Sequence, residues 1–177
     1  ELAAYGIGIQ LWLFGAFFID GYSSAGNILS GRLLGAQEYD TLLNLGKKLI
    51  SYGIFAGIFL AGIGFLFYEF IGQIFIQDLS VLQRFYEVFW IILIMQPICA
   101  ITFIFDGMFK GMGYTEFLRN LLLLSTLLVF IPSLLFFDTF NYKLAGVWFT
   151  FLLWILARGI PLLLKFKRKF SPLVEKK

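Results

Sequence analysis

A chain of 177 residues that is 60% hydrophobic, 20% aromatic and only 14% charged is too apolar for a soluble globular domain, where roughly 45–50% apolar and about 25% charged residues are usual. Its net charge of +3 comes from short basic clusters beside apolar runs, a pattern that suits a membrane surface and not nucleic acid. There is no histidine and one cysteine, Cys99; this argues against a Ser-His hydrolase or an intramembrane metalloenzyme and leaves no intrachain disulfide to form.

A helix needs about 20 apolar residues to cross a bilayer, and the sequence predicts spans at 2–29, 49–76, 85–105, 117–137 and 144–166, with a basic tail at 167–177. The expected fold is therefore all-α, a polytopic membrane protein whose short connections make the spans alternate in direction. The chain starts at Glu1 without methionine, and no basic region with a small-residue cleavage site follows. A signal peptide is not expected, and the chain reads as the tail of a longer polytopic protein.

The first span carries the most informative stretch, Phe17 to Gln37. Asp20, Ser23, Ser24 and Asn27 recur at i, i+3, i+4 and i+7, which puts all four on one helical face. Hydrocarbon cannot satisfy such a face, so it must meet a neighbouring helix or a water-filled cavity. Gly26, Gly31 and Gly35 follow, spaced for close backbone contact and a turn. From Gly31 to Lys48 the leucines alternate with Glu38, Asp40, Lys47 and Lys48, as in a segment lying in the membrane interface. Pro97, Pro132 and Pro161 fall inside predicted spans, where each removes a backbone bond and invites a kink. A faint echo joins the first and third spans: Phe18-Ile19-Asp20-Gly21 recurs as Ile104-Phe105-Asp106-Gly107, and internal repeats of this kind occur in secondary transporters.

Lys and Arg are unevenly shared between the two sides. Eleven fall in the first and third connections and the C-terminal tail, against Arg84 and Lys143 on the other side, with Arg158 inside the last span. By the positive-inside rule the C-terminus is expected in the cytoplasm of a cell whose inner membrane holds the protein.

The intramembrane polar residues admit two readings each. Asp20 either makes a buried structural hydrogen bond or lines a cavity for protons, cations or a cationic substrate. Asp106 either pairs with Lys110 one turn on or shares a cavity face with Gln96, Cys99 and Thr102. Glu69 and Glu87 are expected at the outer surface, within reach of water, and Arg158 is expected to snorkel toward the interface. The tail KFKRKFSPLVEKK interleaves Phe166 and Phe170 with basic residues, a match for anionic lipid of the inner leaflet.

The stretch QLWLFGAFFIDGYSSAGNILSGRLLGAQ resembles the eighth helix and following loop of multidrug and toxic compound extrusion (MATE) transporters, and the DinF-like branch in particular. QPICAITFIFDGMFKGMGYTEFLRN resembles that branch's tenth helix. The resemblance implies most of the C-terminal lobe, helices eight to twelve, of a twelve-helix antiporter whose N-terminal lobe is missing here. Such a protein exports small amphipathic, often cationic compounds in exchange for protons or sodium ions, catalyses no reaction and holds no bound cofactor. Asp20, Ser23, Ser24, Asn27, Gln96, Thr102 and Asp106 are the cavity candidates. The middle of the third span reads Gln96-Pro97-Ile98-Cys99, without the carboxylate expected of a sodium site in the sodium-coupled branch. Two alternatives remain: a lipid-linked-sugar flippase of the same broad superfamily, with a more basic cavity, and a small non-transporting assembly subunit.

Overall fold

A computed structural model describes residues 2–76 and 78–175. The order is α1 (Leu2–Gly35), α2 (Tyr39–Leu66), a short α3 (Tyr68–Phe75), α4 (Leu79–Gly111), α5 (Thr115–Ser125), α6 (Ile131–Thr139) and α7 (Lys143–Glu175). A π-helical turn, Thr126–Phe130, joins α5 to α6. Among the described residues five units are long and apolar enough to span a membrane: α1, α2, α4, the α5–α6 rod and α7. The chain is an all-α, multi-pass membrane protein.

Most helices outrun their predicted spans. At about 1.5 Å per residue, the 34 residues of α1 reach about 51 Å, well beyond a hydrocarbon core of about 30 Å. Hydropathy marks only the part in lipid, whereas backbone bonding and packing carry the helix past it. The connection read as an interfacial segment at 31–48 is in fact the end of α1, a three-residue turn and the start of α2. Leu42 is fully buried there, Tyr39 stacks on Phe170 at 6.3 Å, and Gly46 lies against the Phe166 ring. The second predicted span is instead two helices that meet at Phe67.

Three turns share one device. After α1, α4 and α6 the backbone amides of Glu38, Tyr114 and Tyr142 reach back to the carbonyls of Leu33, Phe109 and Phe137. The residue before each amide, Gln37, Gly113 and Asn141, has positive φ. This is the bonding of a Schellman cap, which satisfies carbonyls left over at a helix end. Of the glycines spaced for close contact and a turn, Gly35 is still helical, and Gln37 takes the left-handed position.

The core is α4, the most enclosed span, with α1, α2 and α7 around it. Between helices in lipid there is little hydrophobic drive, so close association depends on small residues that let backbones approach. Gly31 of α1 faces the Gly111 carbonyl, and a Cβ at Gly111 or Gly107 would overlap Asn27 or Ser23. Ser23 Oγ donates to the Phe103 carbonyl at 2.7 Å and Ser30 Oγ to the Met108 carbonyl at 2.8 Å. Gly57 of α2 similarly rests on the backbone at Pro97. Both α4 and α7 remain helical through Pro97 and Pro161. Just before Pro132 the winding changes, with the Ile131 amide bonding to the Thr126 carbonyl five residues back, an arrangement that accommodates a residue with no N–H of its own.

The final helix takes in most of the basic tail. Helical structure continues to Glu175, and Phe166 and Phe170 are buried in the core. Lys165 sits 3.4 Å from the centre of the Phe117 ring on the neighbouring α5, and Lys169 4.0 Å from that of Tyr114, just before α5 begins. Lys167 and Arg168 are exposed; Lys176 and Lys177 lie outside the described residues.

Candidate functional site: a charged cavity between α1, α4 and α7

The echoed Asp-Gly pairs meet in space. Their helices, α1 and α4, are the most extensively packed pair in the fold, and Asp20 and Asp106 both line one cavity of about 340 Å³. Ser23, Lys110 and Arg158 complete its polar wall. Two carboxylates and two cations therefore converge at one place among three membrane-spanning helices.

Asp106 is the centre of this cluster. Its Oδ1 accepts from Arg158 Nη2 at 3.1 Å, and its Oδ2 lies 2.7 Å from Lys110 Nζ. The Asp106 and Arg158 side chains are only 16% and 12% exposed, whereas that of Lys110 is 54% exposed. Arg158 does not snorkel away: it turns into the bundle and pairs across to α4. Its guanidinium also lies 5.0 Å from the Trp154 ring centre, and Trp154 Nε1 donates to Thr126 Oγ1 at 3.1 Å. A continuous polar chain thus links the π turn, through Trp154 and Arg158, to Asp106. Burying a charge is affordable only when it is paired, and the pairing explains how both survive inside the bundle.

Asp20 differs. It is exposed on α1, and no hydrogen bond or ion pair joins it to another described residue. The four-residue face divides along its length. One edge, Ser23 and the Asn27 backbone, docks on α4, while Asp20 and Ser24 stay exposed. The divide follows from width, since the four positions spread over about 100° of the helix and a single neighbour covers one side of that arc.

Of the sequence candidates, the cavity brings together Asp20, Ser23 and Asp106. Ser24 and Asn27 do not line it. Thr102 is buried and donates to the Ile155 carbonyl of α7 at 3.1 Å, a bond between helices. Cys99 accepts from Trp12 Nε1 at 3.4 Å. Gln96 belongs to a separate cavity of about 440 Å³ nearer the other end of the bundle, with no charged side chain among the described residues that line it. Arg158 and Lys110 were missed as wall residues. The available signal was two opposite charges within apolar spans, which low-dielectric surroundings drive together. At the opposite ends of the spans, Arg84 and Glu87 form an exposed pair at 3.2 Å and Glu69 accepts from the Tyr68 hydroxyl at 2.8 Å.

Comparison with known proteins gives a family model, MatE, matching residues 1–135. Protein DETOXIFICATION 42 of Arabidopsis thaliana is 27% identical over 152 residues, covering 84% of this chain and 28% of the relative. Protein DETOXIFICATION 45, chloroplastic, from the same plant is 28% identical over 112 residues, covering 63% of this chain and 20% of the relative. The chain spans between a fifth and three tenths of the length of these curated relatives.

Proposed function

The chain belongs to the MatE family of membrane transporters, and from that premise we propose that it serves a cation-coupled antiporter of the DinF-like branch. It supplies helices eight to twelve, most of the C-terminal lobe, and the exported compounds are amphipathic and often cationic. Protons or sodium ions drive the exchange. The names of the two DETOXIFICATION relatives fit export of harmful compounds. The C-terminal ends of α1, α4 and α7, with the basic residues near them, face the cytoplasm in an inner membrane, where exposed Lys167 and Arg168 meet anionic lipid.

The observation that carries this function is the exposed Asp20 carboxylate at a polar cavity inside a membrane bundle. Asp106 is already shared by two cations, so Asp20 is the carboxylate available to attract a proton, a cation or a cationic compound. The same geometry weighs against a flippase for lipid-linked sugars. Arg158, the deep cation, is neutralised by Asp106, which leaves little positive charge for a diphosphate headgroup.

Asp20→Asn in the full chain keeps the shape and most hydrogen bonding and removes the charge. Export of a cationic dye should fall several-fold more than export of a neutral dye, with both normalised to protein in the membrane. An equal loss for both dyes would reject a charge-selective role for Asp20.

A further inference from the structure

We propose that the uncharged cavity walled by α1, α2, α3 and α4 binds a neutral, largely apolar small molecule with one hydrogen-bonding group, received by the Gln96 carboxamide. The site goes beyond the transport function above, since it involves neither Asp20 nor the Asp106 cluster.

The cavity holds about 440 Å³, within the roughly 300–1,000 Å³ of small-molecule sites. Its walls are aliphatic and aromatic, with Phe14, Leu60, Ile63 and Phe89 among them, and among the described residues its only polar side chains are Gln10 and Gln96. No charged group among the described residues lines it, so a cation or anion entering would be stripped of water without a counter-charge. That selects a neutral ligand.

Gln96 supplies the polar requirement. It is 4% exposed, and its Oε1 has no hydrogen-bond partner among the described residues. The amide lies flat on α1 at Gly15, where any Cβ would overlap it, and the missing side chain gives it that seat. A buried amide is stabilised only by a partner. A lipid acyl chain fits the apolar walls but offers none. Among the described residues a lone water would find few polar groups beyond the two carboxamides, against the two to four partners that hold a buried water. A half-turn of the amide presents either its acceptor or its donor end, so a hydroxyl, which is both, suits it best.

The test uses the full chain in lipid nanodiscs and two uncharged probes of equal shape, 2-naphthol and 2-methylnaphthalene. Binding to empty nanodiscs is subtracted. We expect saturable binding of both, with 2-naphthol roughly tenfold tighter, the worth of one hydrogen bond to an otherwise unpartnered group. In Gln96→Leu the two probes should bind within about twofold of each other. Because that variant replaces an unpartnered buried amide with hydrocarbon, its melting temperature should hold or rise, which separates a lost contact from lost folding. Leu60→Trp, which fills the cavity from α2, should abolish saturable binding of both probes. Three results would overturn the proposal: no saturable binding above empty nanodiscs, the outcome if lipid chains fill the space; equal affinity of the two probes for the unaltered chain; or a 2-naphthol preference that survives in Gln96→Leu. Transport is not read in any arm, so its failure leaves the outcome unchanged.

Discussion

Removing the members of the Asp106 cluster one at a time should cost unequal amounts of stability, in an order set by what each removal leaves behind. Breaking a buried pair costs about 3–5 kcal/mol when it strands a charge, and an exposed pair contributes roughly 0–1 kcal/mol. Lys110 is more than half exposed, so Lys110→Gln should cost less than about 1 kcal/mol. Arg158→Gln leaves Asp106 still paired with Lys110 at 2.7 Å, and no charge is stranded; about 1–2 kcal/mol is expected, below the buried-pair range. Asp106→Asn strands Arg158, 12% exposed; its contact with the Trp154 face is already made in the intact cluster and offsets none of the loss, so a cost of about 3–5 kcal/mol is expected. The double variant Asp106→Asn/Arg158→Gln strands nothing, so it should be more stable than Asp106→Asn alone, with a coupling of at least about 1 kcal/mol. Reversible denaturant unfolding in lipid bicelles, followed by tryptophan fluorescence, measures all four. If Arg158→Gln proves as costly as Asp106→Asn, or the single effects simply add, the cluster is not organised around a shared carboxylate.

Three further outcomes follow from the packing and the topology. Gly111→Ala forces α1 away from α4 and should cost roughly 1–3 kcal/mol, whereas Gly21→Ala, which meets nothing, should be neutral or slightly stabilising in the same unfolding assay. At the start of α4 the Ser80 hydroxyl, then the Ser80 and Val81 amides, hold the Asp78 carboxyl below the usual aspartate range. A carboxyl lowered by folding stabilises above its unfolded pKa and loses that contribution as pH falls through its folded one. Protection of the Ser80 amide from hydrogen exchange, taken relative to Asp78→Asn, should therefore be constant near neutrality and decline only in acid; a decline between pH 6 and 8 would contradict the cap. For the proposed orientation, cysteines at Gln37 and Thr115 should be shielded from an impermeant thiol reagent in intact cells and one at Asn141 labelled, with buried Cys99 silent as background; the reverse pattern would invert the topology.

The all-α class and five membrane crossings were legible from the order of residues, because the need to satisfy every backbone group inside hydrocarbon leaves long apolar runs little choice. Helix ends were less legible. Past the bilayer boundary hydropathy is silent, and it is the buried contacts of Leu42, Gly46, Phe166 and Phe170 that carry α2 and α7 on as helices. Tertiary structure alone decided what the polar residues do. Periodicity placed Asp20, Ser23, Ser24 and Asn27 on one face but could not say that α4 would cover one edge of it, or that Thr102 would be spent on the Ile155 carbonyl. Arg158 and Asp106 lie 52 positions apart, and only the packing of α7 beside α4 brings them to 3.1 Å. Local order sets which residues can share a helix face; which faces meet depends on the close approach of glycine-lined backbones, and that is a property of the folded bundle.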